Sequence, residues 1–189
     1  MSNVSQSVFP RLSRDEMPEH MQEIWDKSMQ RRGEAHFIES SAHSPEIFDW
    51  YIQRFYNELF YAGKVDKKFK ELGRLRLSLE HGCKTCNQGN RLDALDAGIT
   101  KTQIEHLTTA HTNNFSDQEL AVIRLAEQIA LTNTAGSLDE SLYTDLRQYF
   151  NEGQIFELGM VFGLLAGMAK FMFVFDIVVK EDYCPFHTS

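Results

Sequence analysis

Apolar residues recur along most of the chain at the three- and four-residue spacing of amphipathic helices. No stretch of strand length alternates convincingly between apolar and polar residues. Several helix starts carry a capping box, in which a Ser or Thr is followed three residues later by Glu or Gln. These patterns predict an all-α, single-domain bundle of seven or eight helices. The predicted helices cover residues 13–32, 45–62, 66–81 and 83–97, three shorter segments that begin near residues 100, 116 and 137, and a last segment from residue 154 to about residue 180.

The second predicted helix is unusually aromatic. Phe48, Ile52, Phe55 and Leu59 share one face, which is the spacing of a buried stripe. Further aromatic side chains surround that stripe, and they can either pack in a core and a subunit interface or line a pocket for an aromatic substrate. We favour packing, because aromatic residues at helical spacing most often fill a core. The surrounding residues are Trp50, Tyr51, Tyr56, Phe60 and Tyr61.

The longest apolar stretch, residues 155–179, is the one membrane candidate in the sequence. Three charged residues interrupt it, and its charge-free part, residues 158–169, is shorter than the ~20 residues that a bilayer requires. The stretch therefore predicts a buried central helix and no membrane span. Three glycines at four-residue spacing form a smooth ridge on it, where another helix or a partner subunit can approach closely: Gly159, Gly163 and Gly167.

Composition and charge narrow the classes of function. The 189 residues carry a net charge of −8, which argues against a nucleic-acid surface because phosphate binding requires a clustered excess of Lys and Arg. The first residues lack a basic segment followed by an apolar one, so no signal peptide is expected. We predict a cytoplasmic protein with an N-terminal extension of one helix (residues 1–44), a helical domain (residues 45–180) and a C-terminal tail (residues 181–189).

Three cysteines without an export signal argue against a structural disulfide framework and favour redox or metal chemistry for any close pair. The close pair is Cys83-Lys-Thr-Cys86, at a predicted helix start. Cysteines three apart lie on one helix face, near enough to form a disulfide. The helix dipole and the first-turn amides favour thiolate over thiol there. This arrangement suits reversible thiol–disulfide exchange, in which one thiolate attacks a peroxide or disulfide and its neighbour resolves the product.

A Cys-x-x-Cys pair is also half of many zinc sites. Cys184 and His187, near the C-terminus, would complete a tetrahedral set with Cys83 and Cys86. The long separation in sequence and the terminal position argue against that set. We therefore expect no metal, with the zinc set as the alternative. No cofactor is expected either, because the sequence has no phosphate-binding loop and no nucleotide fingerprint.

The segment from Glu71 through Cys83 and Cys86 to Ala94-Leu-Asp-Ala-Gly98 resembles the core of the carboxymuconolactone decarboxylase superfamily. Within that superfamily it is most similar to the AhpD-like alkylhydroperoxidases, and the likeness extends over roughly residues 45–178. The resemblance implies an all-helical fold, assembly into trimers or hexamers, and peroxide reduction by the cysteine pair. By the same resemblance Cys86 is the attacking thiolate, Cys83 the resolving thiol and Glu71 part of a proton relay.

One position departs from the family pattern. Asn90 stands four residues after Cys86, where a histidine is usual, and asparagine cannot take up a proton near neutral pH. Three outcomes stay open. Glu71 acts through a water held by Asn90, or another histidine folds into the site, or the peroxidase activity is weak or absent. The histidines considered are His81, His106 and His111.

We predict a thiol-dependent peroxidase that reduces hydroperoxides through a Cys83/Cys86 dithiol–disulfide cycle. Its reductant is expected to be an external dithiol, and the protein is expected to be a homo-oligomer. Two alternatives remain. One is a non-catalytic oligomeric module whose dithiol is a redox switch or part of a zinc site. The other is a cofactor-free lyase similar to the carboxymuconolactone decarboxylases, with a Glu or His base and idle cysteines.

Overall fold

The computed structural model describes residues 7–109 and 112–186. Within these residues it contains nine α-helices and a single isolated β-bridge, which confirms the predicted all-α class. The helices are α1 (Glu19–Arg32), α2 (His36–Ser41), α3 (Pro45–Trp50), α4 (Lys67–His81), α5 (Lys84–Asp96), α6 (Lys101–His106), α7 (Asp117–Ile129), α8 (Glu140–Arg147) and α9 (Glu152–Val174). Two 3₁₀ turns, Arg14–Glu16 and Thr112–Asn114, and a π-helix, Tyr51–Tyr61, complete them.

Helices in the middle of the chain begin and end where the local signals predict. The Asp66 side chain caps α4 by accepting a hydrogen bond from the Lys68 N–H at 2.7 Å. Capping boxes open α6 at Thr100 and α7 at Ser116. Gly82, with φ of +65°, ends α4 in the left-handed conformation that glycine adopts without strain. The predicted bounds of α4 and α5 and the predicted starts of α6 and α7 are therefore confirmed to within two residues.

The N-terminal region differs from the prediction of one helix. The capping box at Ser13 begins only the 3₁₀ turn Arg14–Glu16, and α1 begins at Glu19, three residues after that turn ends. Met17 is extended because the residue before a proline is held out of the helical region, here by Pro18. The six-residue helix α2 was also missed. The extension therefore contains two helices, and the described residues contain nine rather than eight.

Two later helix starts are also corrected. The cap of α8 is Asp139, whose carboxylate accepts from the Leu142 N–H at 2.8 Å, and not Ser137. A capping box that joins Asn151 and Gln154 opens α9 at Glu152, two residues before the predicted start. The sequence rule that we applied counts only Ser and Thr at the cap, whereas Asp and Asn accept the same hydrogen bond equally well.

The aromatic second helix changes its hydrogen-bond register. After α3, the chain continues without a break into the eleven-residue π-helix Tyr51–Tyr61. Each N–H of a π-helix bonds to the carbonyl five residues earlier, so side chains five apart lie above one another. Phe48 and Phe55 are buried as the stripe predicts, but Phe60 rather than Leu59 is the fully buried residue in the last turn.

Helix α9 is buried on one side only, which corrects the prediction of a buried central helix. Its inner residues pack in the main core, whereas Phe156 and Val174 on the opposite side are 71% and 66% exposed. Among the described residues it is the one helix long and apolar enough to cross a membrane, with 39% of its most apolar window buried. Length and composition are weak evidence for a membrane, because a core helix in a soluble protein passes the same test.

Helix α4 is the central element of the bundle. It packs against α5, α7 and α9, and its buried side chains join two neighbouring apolar clusters. A third cluster ties α1 and α2 to Phe48 of α3, so the N-terminal extension is packed onto the domain. The predicted domain boundaries at residues 44 and 180 stay predictions. The end of α4 and the start of α5 carry the cysteine pair.

Candidate active site

The cysteine pair lies at the corner between α4 and α5 (residues 81–86, the α4–α5 corner). Gly82 reverses the chain there, which makes Cys83 the N-cap of α5. The Cys83 Sγ accepts a hydrogen bond from the Cys86 N–H at 3.2 Å. A sulfur in this position lies at the positive end of the helix dipole, which stabilises a thiolate. The corner therefore favours the reactive form of the reduced pair.

The two sulfurs are joined in a disulfide, as their spacing predicts. The Cα atoms of Cys83 and Cys86 are 5.2 Å apart, within the usual range for a disulfide. Cys83 is only 1% exposed, whereas Cys86 is partly exposed. A dissolved reagent therefore reaches Cys86 more easily, which supports its assignment as the attacking thiolate. The separate roles of the two cysteines stay predictions.

The segment that follows α9, residues 177–186, packs across the corner. The Glu181 N–H donates to the Gly82 carbonyl at 2.8 Å, and the Cys184 thiol donates to the His81 carbonyl at 3.0 Å. A Cβ atom added to Gly82 would lie 2.6 Å from the Cα of Cys184. Cys184 is buried in the same cluster as Cys83. This part of the predicted tail is thus a fixed cover over the redox pair.

The alternative zinc set is incomplete in the part of the chain that the structure describes. Cys83, Cys86 and Cys184 lie in one cluster, but two of the three sulfurs are joined in the disulfide. His187 lies outside the described residues. Among residues 7–109 and 112–186, no group of three or more His, Cys, Asp or Glu side chains is arranged to hold a metal ion.

A cavity of about 390 Å³ opens beside the cysteine pair. It is bounded by α4 and α5 on the side of the cysteines, by the π-helix, by α9, and by α1 near the surface. The polar side chains that line it near the cysteine pair come from two helices. They are Arg74, Ser78 and His81 of α4 together with Thr85 and Asn90 of α5. Of the residues predicted for the site, Cys83, Cys86, Asn90 and His81 are therefore brought together.

His81 reaches the cavity as a neutral hydrogen-bond donor. Its side chain is 1% exposed, and its Nε2 accepts from the Leu131 N–H at 2.9 Å. The ring proton of the neutral form is therefore on Nδ1, which has no hydrogen-bond partner among the described residues. Burial lowers the pKa of His81 to about 4. At neutral pH the ring thus offers an N–H and cannot act as the missing base without breaking its bond to Leu131.

Of the other two histidines considered, the structure describes only His106. His106 does not line the cavity, and its Nδ1 is 2.9 Å from the Nδ2 of Asn114. His111 lies outside the described residues. Asn90 is buried beside the cavity, in the place where the family pattern has a histidine.

Glu71 lies away from the cavity surface and connects to it through Arg74. The Glu71 carboxylate is 1% exposed and is 2.5 Å from the Arg74 guanidinium, which is also 2.7 Å from Asp93. Burial raises the pKa of Glu71, although the charge of Arg74 opposes that shift. The guanidinium also lies 5.1 Å from the centre of the Phe60 ring. The predicted relay role of Glu71 stays a prediction.

Three tyrosines of the π-helix form one wall of the cavity (Tyr51, Tyr56 and Tyr61, the tyrosine wall). Their ring centres are 5.3 Å apart between the first two and 5.8 Å apart between the last two. Tyr51 is buried, Tyr56 is half-buried, and Tyr61 is 47% exposed at the cavity mouth. The packing interpretation is confirmed for Tyr51, Phe55 and Phe60, which lie in the main core, and for Tyr56, which packs against it. The tyrosines line the cavity as well.

Sequence reasoning missed the tyrosine wall and Arg74. A signal for the wall was present, since tyrosines recur every five residues at positions 51, 56 and 61. An α-helix spreads that spacing around its surface, and only the π register aligns it. Arg74 stands one turn after Glu71, where a charged pair stabilises any helix, so its sequence context did not distinguish it.

Comparison with known proteins places this site in a family. Residues 45–128 match the family described as the carboxymuconolactone decarboxylase family, and this segment includes the tyrosine wall, Glu71 and the cysteine pair. No protein of curated function matches the chain significantly in sequence. The family match therefore covers the tyrosine wall and the α4–α5 corner and ends before α8 and α9.

Solved structures share the fold across most of the chain. A peroxidase-related protein from a Silicibacter species is 15% identical with a TM-score of 0.72, and the match covers 99% of this chain and 100% of that one. A peroxidase-related protein with an AhpD core from Ralstonia eutropha is 12% identical with a TM-score of 0.71 and 92% coverage of each chain. The debrominase Bmp8, in complex with 2,3,4-tribromopyrrole, is 14% identical with a TM-score of 0.69 and 94% coverage of each chain. These similarities establish the fold.

Proposed function

Because the chain belongs to the carboxymuconolactone decarboxylase superfamily and has the fold of its AhpD-like branch, we propose that it is a thiol-dependent peroxidase. Family and fold by themselves indicate a peroxidase-related or decarboxylase-like function. The observation that carries the narrower proposal is the Cys83–Cys86 disulfide at a helix start beside a cavity. A lyase would have no use for such a pair.

The proposed cycle has three steps. The Cys86 thiolate attacks the terminal oxygen of a hydroperoxide, so an S–O bond forms, the O–O bond breaks, and the departing alkoxide takes from solvent a proton equivalent to the one that the Cys86 thiol gave up, and becomes an alcohol. The Cys83 thiol then attacks the Cys86 sulfenic acid, which releases water and forms the disulfide. An external dithiol reduces this disulfide by exchange and is itself oxidised. The two electrons that reduce each peroxide come in the end from that dithiol.

The polar residues at the cavity provide the hydrogen bonds for this cycle. The neutral His81 ring can donate its Nδ1–H to the departing oxygen, where negative charge develops. Asn90 can hold the peroxide or a water but cannot remove a proton. Because no histidine of the described residues is placed as the base, thiolate formation at Cys86 depends in this proposal on the helix start, and Glu71 acts on the site through Arg74. We therefore propose catalysis with little dependence on a titrating base.

The direct test is dithiothreitol-dependent turnover of hydroperoxides by the wild type and by Cys86→Ser. We expect the variant to lose at least about 10³-fold in kcat/KM, since the serine hydroxyl is not ionised at neutral pH. Cys184→Ser is the matched control, because a serine can still donate to the His81 carbonyl, and it should retain wild-type turnover. Equal inactivity of the wild type and Cys86→Ser across several peroxides and dithiols would refute the peroxidase. Stoichiometric zinc in protein purified without chelator would contradict it too.

We further propose that the protein is a homo-oligomer, a trimer or a hexamer. Support comes from the outer side of α9, where the exposed apolar residues Phe156, Met160 and Val174 share one face, which the charged Lys170 interrupts. Among the described residues, no atom would lie within 4 Å of a Cβ added to any of the three glycines of this ridge, Gly159, Gly163 and Gly167. Such a surface favours close contact with a second helix. Sedimentation at micromolar concentration should show an oligomer, and a monomer would contradict it.

A further inference from the structure

The cavity beside the cysteine pair is larger than a peroxide group needs. Its volume of about 390 Å³ lies in the range of sites for small organic molecules, which is roughly 300–1,000 Å³. Hydrogen peroxide, or a peroxide with a short alkyl group, would leave most of that space unfilled. The side chains that line the cavity therefore indicate the shape and polarity of the rest of the substrate.

One wall is built to contact a flat ring. The π register brings the rings of Tyr51 and Tyr56 to 5.3 Å, with the rings at 78° to each other, and Tyr61 continues the row to the mouth. Phe37 makes an edge-to-face contact with Tyr51 at 5.8 Å and also lines the cavity. Aromatic side chains prefer such edge-to-face or offset contacts with other rings. A wall of this kind favours an aromatic group over a short alkyl chain.

Exposed cationic side chains line the outer part of the cavity, namely Lys27, Arg31 and Arg32. The buried polar groups farther in favour an uncharged ligand part with hydrogen-bond acceptors. Two buried N–H groups lack a partner among the described residues, the Nδ1–H of His81 and the Nε–H of Arg74. An unsatisfied buried donor is costly, so each one favours a ligand or a water that accepts from it. The charge of Arg74 is already balanced by Glu71 and Asp93 at 2.5 and 2.7 Å. A carboxylate on the ligand would therefore meet no unbalanced positive charge at this residue.

We propose that the natural substrate is an uncharged arylalkyl hydroperoxide, whose ring lies against the tyrosine wall while its peroxide group, on a carbon attached to that ring, lies between His81 and Cys86. This inference rests on the proposed peroxidase function and specifies the substrate of the same site. The S–O, O–O and proton steps are those of the cycle above, with an aryl-substituted alcohol as the product.

Binding of the unreactive product tests the site without turnover. Cumyl alcohol, the product from cumene hydroperoxide, is titrated into the disulfide form of the wild type and followed by NMR or calorimetry. We expect it to bind at least about tenfold more tightly than tert-butanol, which lacks the ring, and than benzoate, which carries a charge. Equal or tighter binding of tert-butanol or benzoate would overturn the proposal.

Variants of the tyrosine wall locate the binding. Tyr56→Leu should weaken cumyl alcohol binding by about 2- to 10-fold, which is the range that an aromatic contact contributes beyond its area. Tyr56→Phe keeps the ring and should bind within about twofold of the wild type. Tyr143→Leu, a partly exposed tyrosine of α8 outside the cavity, is the matched control and should bind as the wild type does. If Tyr56→Leu is folded and binds as tightly as the wild type, the wall is not the ring site.

Turnover then separates the two proposals. The ratio of kcat/KM for cumene hydroperoxide to that for tert-butyl hydroperoxide should exceed about 10 in the wild type and fall in Tyr56→Leu. Binding of cumyl alcohol without any peroxide turnover would leave the ring site standing and refute the peroxidase. Turnover of both peroxides at equal rates, with no binding of cumyl alcohol, would support the peroxidase and overturn the aryl substrate.

Discussion

The two sides of the cavity differ in how local sequence determines them. The α4–α5 corner is fixed by short-range features, namely a left-handed glycine, a capping sulfur and a two-residue space between the cysteines. The tyrosine wall depends on the hydrogen-bond register of eleven consecutive residues. None of these residues is of a type that restricts its backbone to one conformation. In the proposed function the corner holds the reactive sulfurs, whereas the wall sets the shape of the cavity.

This difference indicates that the chemistry and the specificity of the site are separable. A corner set by local backbone geometry should tolerate few substitutions. No other residue type can replace, without strain, a glycine that has a positive φ and a closely packed neighbour. A wall whose register is selected by packing should tolerate changes of side chain with small losses of stability. Measurements of stability on both sides should therefore separate into large and small effects.

The largest expected effect is at Gly82. Alanine there must adopt the left-handed conformation, at about 1–2 kcal/mol, and its methyl group would press on the Cα of Cys184, at a further ~1–3 kcal/mol. Gly98 is the matched control, since its φ of +86° is similar but nothing lies within 4 Å of an added Cβ in the described residues. Gly98→Ala should cost only the first part. Chemical denaturation of both variants measures the difference in the free energy of unfolding. Equal losses would mean that the C-terminal segment moves away from the added methyl group without cost.

The next effect is a pH dependence that His81 produces. The pKa of this residue is about 4 in the folded protein and about 6.5 when it is unfolded. Between these values the unfolded state binds a proton that the folded state does not, so the stability conferred above pH 6.5 is lost as pH falls toward 4. We expect the free energy of unfolding of the wild type to fall by ~3 kcal/mol relative to His81→Gln between pH 7 and pH 4.

His81→Gln keeps an oxygen that can accept from the Leu131 N–H, so it is a fair reference at neutral pH. The charged neighbours of His81, Glu80 and Arg76, are the same in both proteins, so the two curves differ by the titration of His81 together with its coupling to Glu80. Urea denaturation at half-unit steps of pH gives both curves. Parallel curves would show that the ring is reached by water and titrates normally.

The smallest expected effect on stability is in the tyrosine wall. Tyr51→Phe removes one hydroxyl and keeps the ring contacts with Phe37 and Phe55. Burial, together with the nearby Tyr56, raises the pKa of Tyr51 well above its ordinary value, so the residue is neutral at any working pH. We expect a change in the free energy of unfolding within about 1 kcal/mol. A loss above ~2 kcal/mol would show that the hydroxyl holds the wall in place, which contradicts the contrast with the corner.

Sequence could predict the corner because its signals are local. A cap residue, a glycine and a Cys-x-x-Cys spacing each act within a few residues. Helices α4 and α5 begin and end, and α6 and α7 begin, where such signals stand. The cavity could not be predicted in the same way. Arg74 is held beside the cavity by an ion pair with Asp93 of the next helix. The Nδ1 of His81 is available for a ligand because Leu131, fifty residues later, donates its N–H to Nε2.

The π-helix was beyond prediction for a related reason. Its residues form an equally good amphipathic α-helix, so the choice of register depends on what packs against each face. The predicted roles of Glu71, Cys83, Cys86 and Asn90 rest on a resemblance, and the structure adds their places but not their functions. The exposed side of α9 shows the same limit. The spacing of apolar residues predicts that a helix face is buried, but not whether the same chain or a partner subunit covers it.

The register of the π-helix makes its length a functional quantity. Removing one exposed residue, Gln53 for example, would let the remaining chain form an ordinary α-helix with the same anchors at Phe48 and Val65. Every tyrosine beyond the deletion would then turn to a different direction, and the ring site would vanish while the disulfide corner was preserved. A lineage of such proteins could gain or lose an aromatic substrate by the insertion or deletion of a single codon, with no substitution in the residues that perform the chemistry.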